Sequence, residues 1–405
     1  MEIVDQIKTN KLNKKLTDIQ KICLRKLQLN PLPNPKSELW RLSNKSKFSD
    51  FLDYEVNDKN GEFDSPYLHN SNNIIRLIIG ENNHISLKEE NYSIQQLSKN
   101  NLDEYIKQKI ACFDQNEHWS DLLNLCLSCE KNVLGLRING SKIPPIEIFS
   151  HASSNSLTAK TVIIFVEKNC DIELLQVNLG KGNSSLSQST FVSLEENSSM
   201  KHGVVSYGEK KSYLLNSLNV IQQKNSEYNL GSLHFRFNYA RFDIRIKQSS
   251  GNAKTNIKGM QITKKDEQIS TYTKIDFHGP NGFLDQINKS LADDKSHAIF
   301  EGSIIVPKIA QKTDASQLSR NLLLSNFAQI DTKPQLEIIA DDVKCKHGAT
   351  IAQLNEEELF YMRSRGITLP EASKLQLSSY FQEIISFIPV SKDRWDLLDK
   401  LLNEN

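Results

Sequence analysis

Apolar and polar positions change their rhythm three times along the chain. Between Ile7 and Leu29, apolar residues recur at helical spacing among lysines, with Ile19, Ile22, Cys23 and Leu27 on one face. Pro31, Pro33 and Pro35 then force an extended run that ends in Glu38-Leu39-Trp40. The spacing predicts further helices over Ser93 to Cys112 and Trp119 to Cys129. From Val133 the pattern becomes a series of short β-rich runs, among them VLGLRI, TVIIFVE, YLLNSLNVI, RFDIRIK and AIFEGSIIV. Turns rich in Asn, Ser, Gly and Lys separate them, and no useful helical segment intervenes before about Leu318. After Gly348 the helical rhythm returns. Asn355 caps one helix, with Glu356, Glu357 and Glu358 in its first turn and Arg365-Gly366 at its end. A second starts at Pro370-Glu371-Ala372 and runs to Phe387, and a third covers Asp393 to Leu402.

This order predicts a mainly β protein with helices at both ends: a mixed or helical region over 1–132, a central β core over 133–347 and a helical domain over 348–405. About two hundred residues of short strands are too many for one ordinary sandwich, and the connections are not tight hairpins. Both points favour a β-helix, in which each rung buries its apolar face against the next. No clean repeat is visible to fix its period.

Composition adds mostly exclusions. Lys and Arg total 50 against 49 Asp and Glu, so there is no general pull toward nucleic acid or anionic membrane. The longest apolar stretches, Thr161 to Val166 and Ile384 to Val390, fall far short of a bilayer span. The first residues read neither as a secretory leader nor as a transit peptide, and the expected location is cytoplasmic. Six irregularly spaced cysteines do not suggest a disulfide framework. Cys126 and Cys129 form a C-x-x-C on an apolar stretch without a second ligand pair, and read as core cysteines. Gly180 to Ser187 lacks the phosphate-loop pattern and reads as a turn, so ATP hydrolysis by this chain is not expected. His202 and His234 fall in the β region, where they could face each other across rungs.

Cys345 and His347 are the strongest candidates for chemistry. Thiolate and imidazole are both good iron or zinc ligands, and at i and i+2 on a strand they share a face. Two donors cannot close a tetrahedral site, so they make a half-site suited to a subunit interface. The plain alternative is that Val343, Cys345 and His347 form the inward face of a terminal strand; spacing alone favours it.

Two stretches shift that balance. AQKTDASQLSRNLLLSNFAQIDTKPQLEI, Ala310 to Ile338, and ADDVKCKHGATIAQLNEEELFYMRSRGI, Ala340 to Ile367, closely resemble the C-terminal signature of the SufB/SufD family of iron–sulfur cluster assembly proteins. Weaker similarity reaches back to Ala298, and the proline-rich run ending in Trp40 resembles the corresponding segment of the family's SufD branch. Length, a glycine at Gly348 where SufB proteins usually carry glutamate, and the lack of the additional SufB cysteines place the resemblance on that branch.

The resemblance implies a right-handed parallel β-helix flanked by helical regions. It implies a non-catalytic scaffold subunit that pairs with a SufB-like paralogue and docks a SufC-like ATPase, or forms a homodimer when isolated. It implies that His347 serves assembly of the nascent cluster at the SufB boundary, with Cys345 beside it as ligand or structural residue. No cofactor is then expected to stay bound to the isolated chain; iron or a nascent cluster passes through the complex. Glu358, Phe360, Tyr361, Arg363 and Arg365 mark the candidate ATPase-docking helices. Two rivals stand beside this reading: a SufB-type primary scaffold, and a β-helix enzyme acting on polysaccharide. The second lacks a good carboxylate pair, since adjacent Asp341 and Asp342 would face opposite ways on a strand.

Overall fold

The computed structural model describes residues 16–29, 37–56, 74–80, 86–209, 211–390 and 395–404 of the 405. The early part of the first expected helix, the three closely spaced prolines, Asp393, His69 and His84 lie outside the described residues. Seven α-helices are described: α1 (Asp18–Leu29), α2 (Lys45–Leu52), α3 (Lys99–Cys112), α4 (Trp119–Leu127), α5 (Glu356–Ser364), α6 (Leu369–Ile385) and α7 (Leu397–Glu404). Between α4 and α5 the chain winds into a parallel β-solenoid of about eight turns. Successive strands alternate between a nine-stranded and a ten-stranded sheet.

Strands in such a solenoid are covered on both faces, which explains their near-continuous burial. Inner faces supply an apolar core that includes Ile148, Val162, Ile172, Leu230, Ile257 and Ile304. Outside the ten-stranded sheet, α1, α2, α3 and α4 pack Cys23, Phe51, Ile110, Trp119 and Leu122 against Phe191, Tyr213 and Tyr239. Outside the nine-stranded sheet, Phe381, Ile384 and Ile388 pack on Leu175, Val205, Leu233 and Met260. Two glycines flatten that sheet for its cover: a Cβ on Gly203 would stand 2.8 Å from Pro389 Cδ, and one on Gly231 3.0 Å from Ile388 Cγ1.

A repeat exists after all, concealed in single residues. Asn169, Asn197, Asn225, Asn252 and Asn281 all adopt the left-handed conformation (φ 57° to 60°), which asparagine tolerates better than other side-chain-bearing residues. Each closes the same turn of a successive rung. Side-chain amides stack along this corner, Asn197 Nδ2 donating to Asn169 Oδ1 at 3.1 Å and Asn225 Nδ2 to Asn197 Oδ1 at 2.9 Å, both across 28 residues.

Three local expectations change. Residues 93–96 are not helical. They belong to a strand, Tyr92–Gln96, that pairs antiparallel with Val133–Gly140 and buries Ile94; helix α3 starts only after Ser98, whose Oγ accepts from Asn101 N. The β core runs on past Gly348, where the helical rhythm was expected to return: after Asp314–Leu323 and Gln329–Ile338, its last strand is Lys344–Ala352. Asp341 and Asp342 lie in the turn before the last of these, rather than on a strand.

His202 and His234 do not face each other. In register, His202 stands beside Leu230 and His234 beside Ser206. His202 Nδ1 lies 2.8 Å from Tyr228 Oη, while His234 stacks on Phe242 with ring centroids 3.4 Å apart and no hydrogen-bond partner on either ring nitrogen. Burial pushes both imidazoles down to about 3 from the usual 6.5. Folding therefore excludes protons that the unfolded chain would bind. The stability this leaves intact above pH 6.5 drains away as pH falls from there toward 3. At pH 5 each histidine costs about 2 kcal/mol, roughly 1.5 pH units at 1.36 kcal/mol per unit. Replacing His234 by Phe is expected to lessen the drop in thermal midpoint between pH 7 and pH 5. Equal drops in native and variant chains would show that His234 is not a source of acid lability.

Candidate functional site

Lys344–Ala352 is the outermost strand of the nine-stranded sheet, paired on one side with Asp314–Leu323. The register sets Cys345 beside Ala315 and His347 beside Gln317. Ala315 and Gln317 are buried inside the solenoid, so Cys345 and His347 project from the inner face of the last rung. No described strand follows that rung. Cys345 is half-buried against the interior core, whereas His347 is exposed. The surroundings push the Cys345 thiol above its ordinary value, chiefly through burial, with the Ala315 backbone contact opposing. Cys345 is thus held as the thiol, a poorer ligand than the thiolate until a partner or a metal changes its surroundings.

Among the described residues, no group of three or more His, Cys, Asp or Glu is placed to hold a metal ion. The terminal pair is Cys345 and His347, on one face of the last rung. Around it the solenoid ends on two open strand edges, since Gln329–Ile338 is likewise outermost in its own sheet. Long unpaired edges invite another chain to continue the sheet. Ile338, Ile339 and Ile351 are 40%, 58% and 46% exposed at this end. These isoleucines were not singled out from the sequence. For two of them the signal was there, in the apolar run Ile338-Ile339-Ala340 before Asp341 and Asp342.

The other expected surface lies on α5. Asn355 Oδ1 accepts from the backbone N–H groups of Glu357 and Glu358, as the capping pattern requires, and Gly366 closes the helix at φ 88°. No residue of α5 is buried. Phe360 is 72% and Tyr361 60% exposed, and Glu358, Arg363 and Arg365 are exposed beside them. By contrast, α6 is anchored: Lys289 Nζ meets Glu383 Oε2 at 2.7 Å and Tyr380 Oη donates to Arg320 O at 2.6 Å. Helix α5 therefore stands as an uncovered platform on a fixed support, tied to it through Gln376 and Asn355.

The remaining candidates separate. Cys126 is a core residue on α4, as expected; Cys129 is not, because the helix ends at Leu127 and leaves it half-buried beyond. The turn expected over Gly180 to Ser187 is confined to residues 181–183: Gly180 ends one strand and Ser184 to Ser187 already belong to the next, held there by pairing with their neighbouring rungs. A cavity of about 250 Å³ opens between Leu39 and the ten-stranded sheet. Its charged walls are largely paired, Glu117 with Lys274 at 2.7 Å and Asp243 with Arg241 at 2.9 Å. No helix among the described residues is long and apolar enough to cross a membrane.

Residues 148–380, more than half of the chain, match the SUF system FeS cluster assembly SufBD core domain. The chain belongs to the SufB/SufD family. Relatives include a SufBD family protein of Synechocystis, 38% identical over 42% of this chain and 38% of its own length. Protein ABCI7, chloroplastic, of Arabidopsis thaliana is 32% identical over 56% of this chain and 49% of its own. The iron–sulfur cluster assembly protein SufD of Escherichia coli is 39% identical over 36% of this chain and 34% of its own. The matches thus span between a third and a half of these relatives' length. The SufBD core match begins within the solenoid and ends within α6, so it contains the Cys345–His347 rung and all of α5.

Proposed function

We propose that this chain is a SufD-type, non-catalytic scaffold subunit of the SUF machinery. The observation that carries this reading is the placement of His347: exposed, beside Cys345, on the last rung of a solenoid whose two sheets end in open edges. A thiol and an imidazole at such an end can contribute ligands to a cluster only if a second chain brings the rest. A SufB-like paralogue that continues the open edges would cover Ile338, Ile339 and Ile351 and complete the site. Iron or the nascent cluster is cargo there, not a resident cofactor of this chain.

Movement would enter through the C-terminal helices. The exposed aromatic pair Phe360 and Tyr361, flanked by Glu358, Arg363 and Arg365, has the composition of an interface centre with a charged rim. A SufC-like ATPase is its proposed partner.

Co-expression with the neighbouring SUF subunits, followed by mass measurement of the purified complex, tests the assembly. Phe360→Asp combined with Tyr361→Asp is expected to weaken ATPase binding by at least about thirtyfold, the scale of a lost aromatic hot spot near 2 kcal/mol. Pairing with the paralogue should survive. ATPase recovery equal to that of the native chain would remove α5 from the docking surface.

A further inference from the structure

We infer that Gln317 is a positioning residue for His347, fixing which ring nitrogen of the imidazole carries the proton. This rests on the reading of His347 as a ligand.

The inner face of the nine-stranded sheet carries Gln286, Gln317 and His347 in direct register on three successive rungs. Gln286 Nε2 donates to Thr273 Oγ1 at 2.9 Å. Gln317 Nε2 donates to Gln286 Oε1 at 3.0 Å. Gln286 thus gives its N–H across the interior to the opposite sheet and its oxygen to the next rung, where Gln317 takes it up with its own N–H. Gln317 is 1% exposed, and its Oε1 has no hydrogen-bond partner. A buried acceptor left unmatched is costly, so a donor is called for. The residue next in the column is His347, and an imidazole N–H is such a donor.

Gln317 has little freedom to turn elsewhere. Across the interior it lies against Gly302, where a Cβ would approach its Cδ to 2.7 Å. Its Nε2 is committed to Gln286. The oxygen is therefore held at one end of a hydrogen-bonded column that stops one rung short of the open end. When one imidazole nitrogen donates to it, the other keeps its lone pair for iron. Orienting a metal-binding histidine through its second nitrogen is a general device, and loss of the outer group commonly costs 10–100-fold in affinity or activity.

The test uses the full chain with histidine labelled in the ring nitrogens, observed by NMR at pH 8. The native chain should show one tautomer at His347. Gln317→Leu, which removes the acceptor, should give a mixture of both. Gln317→Glu, which keeps an oxygen in place, should restore one tautomer, and it also serves if the leucine variant does not fold. Assembly of clusters by the complex should fall about tenfold or more with leucine and recover with glutamate. The same tautomer populations in native, leucine and glutamate chains would overturn the inference, as would a native chain with mixed tautomers. The NMR readout needs no cluster. If it behaves as expected while His347→Ala assembles clusters normally, the ligand reading falls and the positioning stands.

Discussion

Replacing His347 by Ala should lower cluster assembly by the complete complex on the order of 100-fold, the upper end of what altering groups around a metal costs. Folding and complex formation should be unchanged. The side chain is exposed at the end of the solenoid, so its removal should cost no more than the unmatched Gln317 acceptor it leaves behind, about 1–3 kcal/mol. Cluster absorbance during reconstitution gives the first quantity, and the mass of the complex the second. Cys345 should respond differently. It packs on the interior core, so Cys345→Ala loses both a candidate ligand and part of a contact. Native assembly rates in the His347 variant would remove it from the site. Loss of the complex would instead make it a structural interface residue.

Asp243→Ala should destabilise the junction between the N-terminal helices and the solenoid by about 3–5 kcal/mol. Arg241 is buried, clamped between the rings of Trp40 and Tyr272 at 3.7 and 3.8 Å. Its Nη2 lies 2.9 Å from Asp243 Oδ1 and its Nε 3.2 Å from Oδ2, while Nη1 donates to the carbonyl of Leu39 at 2.7 Å. Asp243 also accepts from Ser120 Oγ on α4 at 3.0 Å. Removing the carboxylate strands a guanidinium in a space already desolvated. Trp40 and Trp119 stack edge to face at 5.8 Å in this junction, so their fluorescence follows its unfolding in urea. A loss below about 1 kcal/mol would mean that another acid compensates, and Glu301, which lines the same cavity with its Oε1 buried and without a partner, is placed to do so.

Much of the fold was legible because it depends on short-range rules. The α5 cap at Asn355, its acidic first turn and its Gly366 stop follow from the needs of helix termini, and all appear in the structure. The β series was legible because strands covered on both faces must be apolar almost throughout. The strand at Tyr92–Gln96 was misread as helix because pairing with Val133–Gly140, some forty residues away, outweighs local propensity. The rung period escaped notice because it resides in one asparagine per 28 residues rather than in a motif.

The candidate site divides along the same line. Residue type and i, i+2 spacing put Cys345 and His347 on one face, and family resemblance gave them a role. Which face it was, and that it ended uncovered, depended on the rungs beneath. Gln317 had no local signature at all; only parallel register brings it beside a residue thirty positions later in the chain.

By itself the sequence determined the mainly β plan with helices at both ends, the ends of α5 and the shared face of Cys345 and His347, because backbone sterics, capping and alternation act within a few residues. Tertiary structure alone decided where the solenoid stops, which edges stay open and which amide lies under the imidazole. Those are properties of stacking between distant segments, and no local window of the chain contains them.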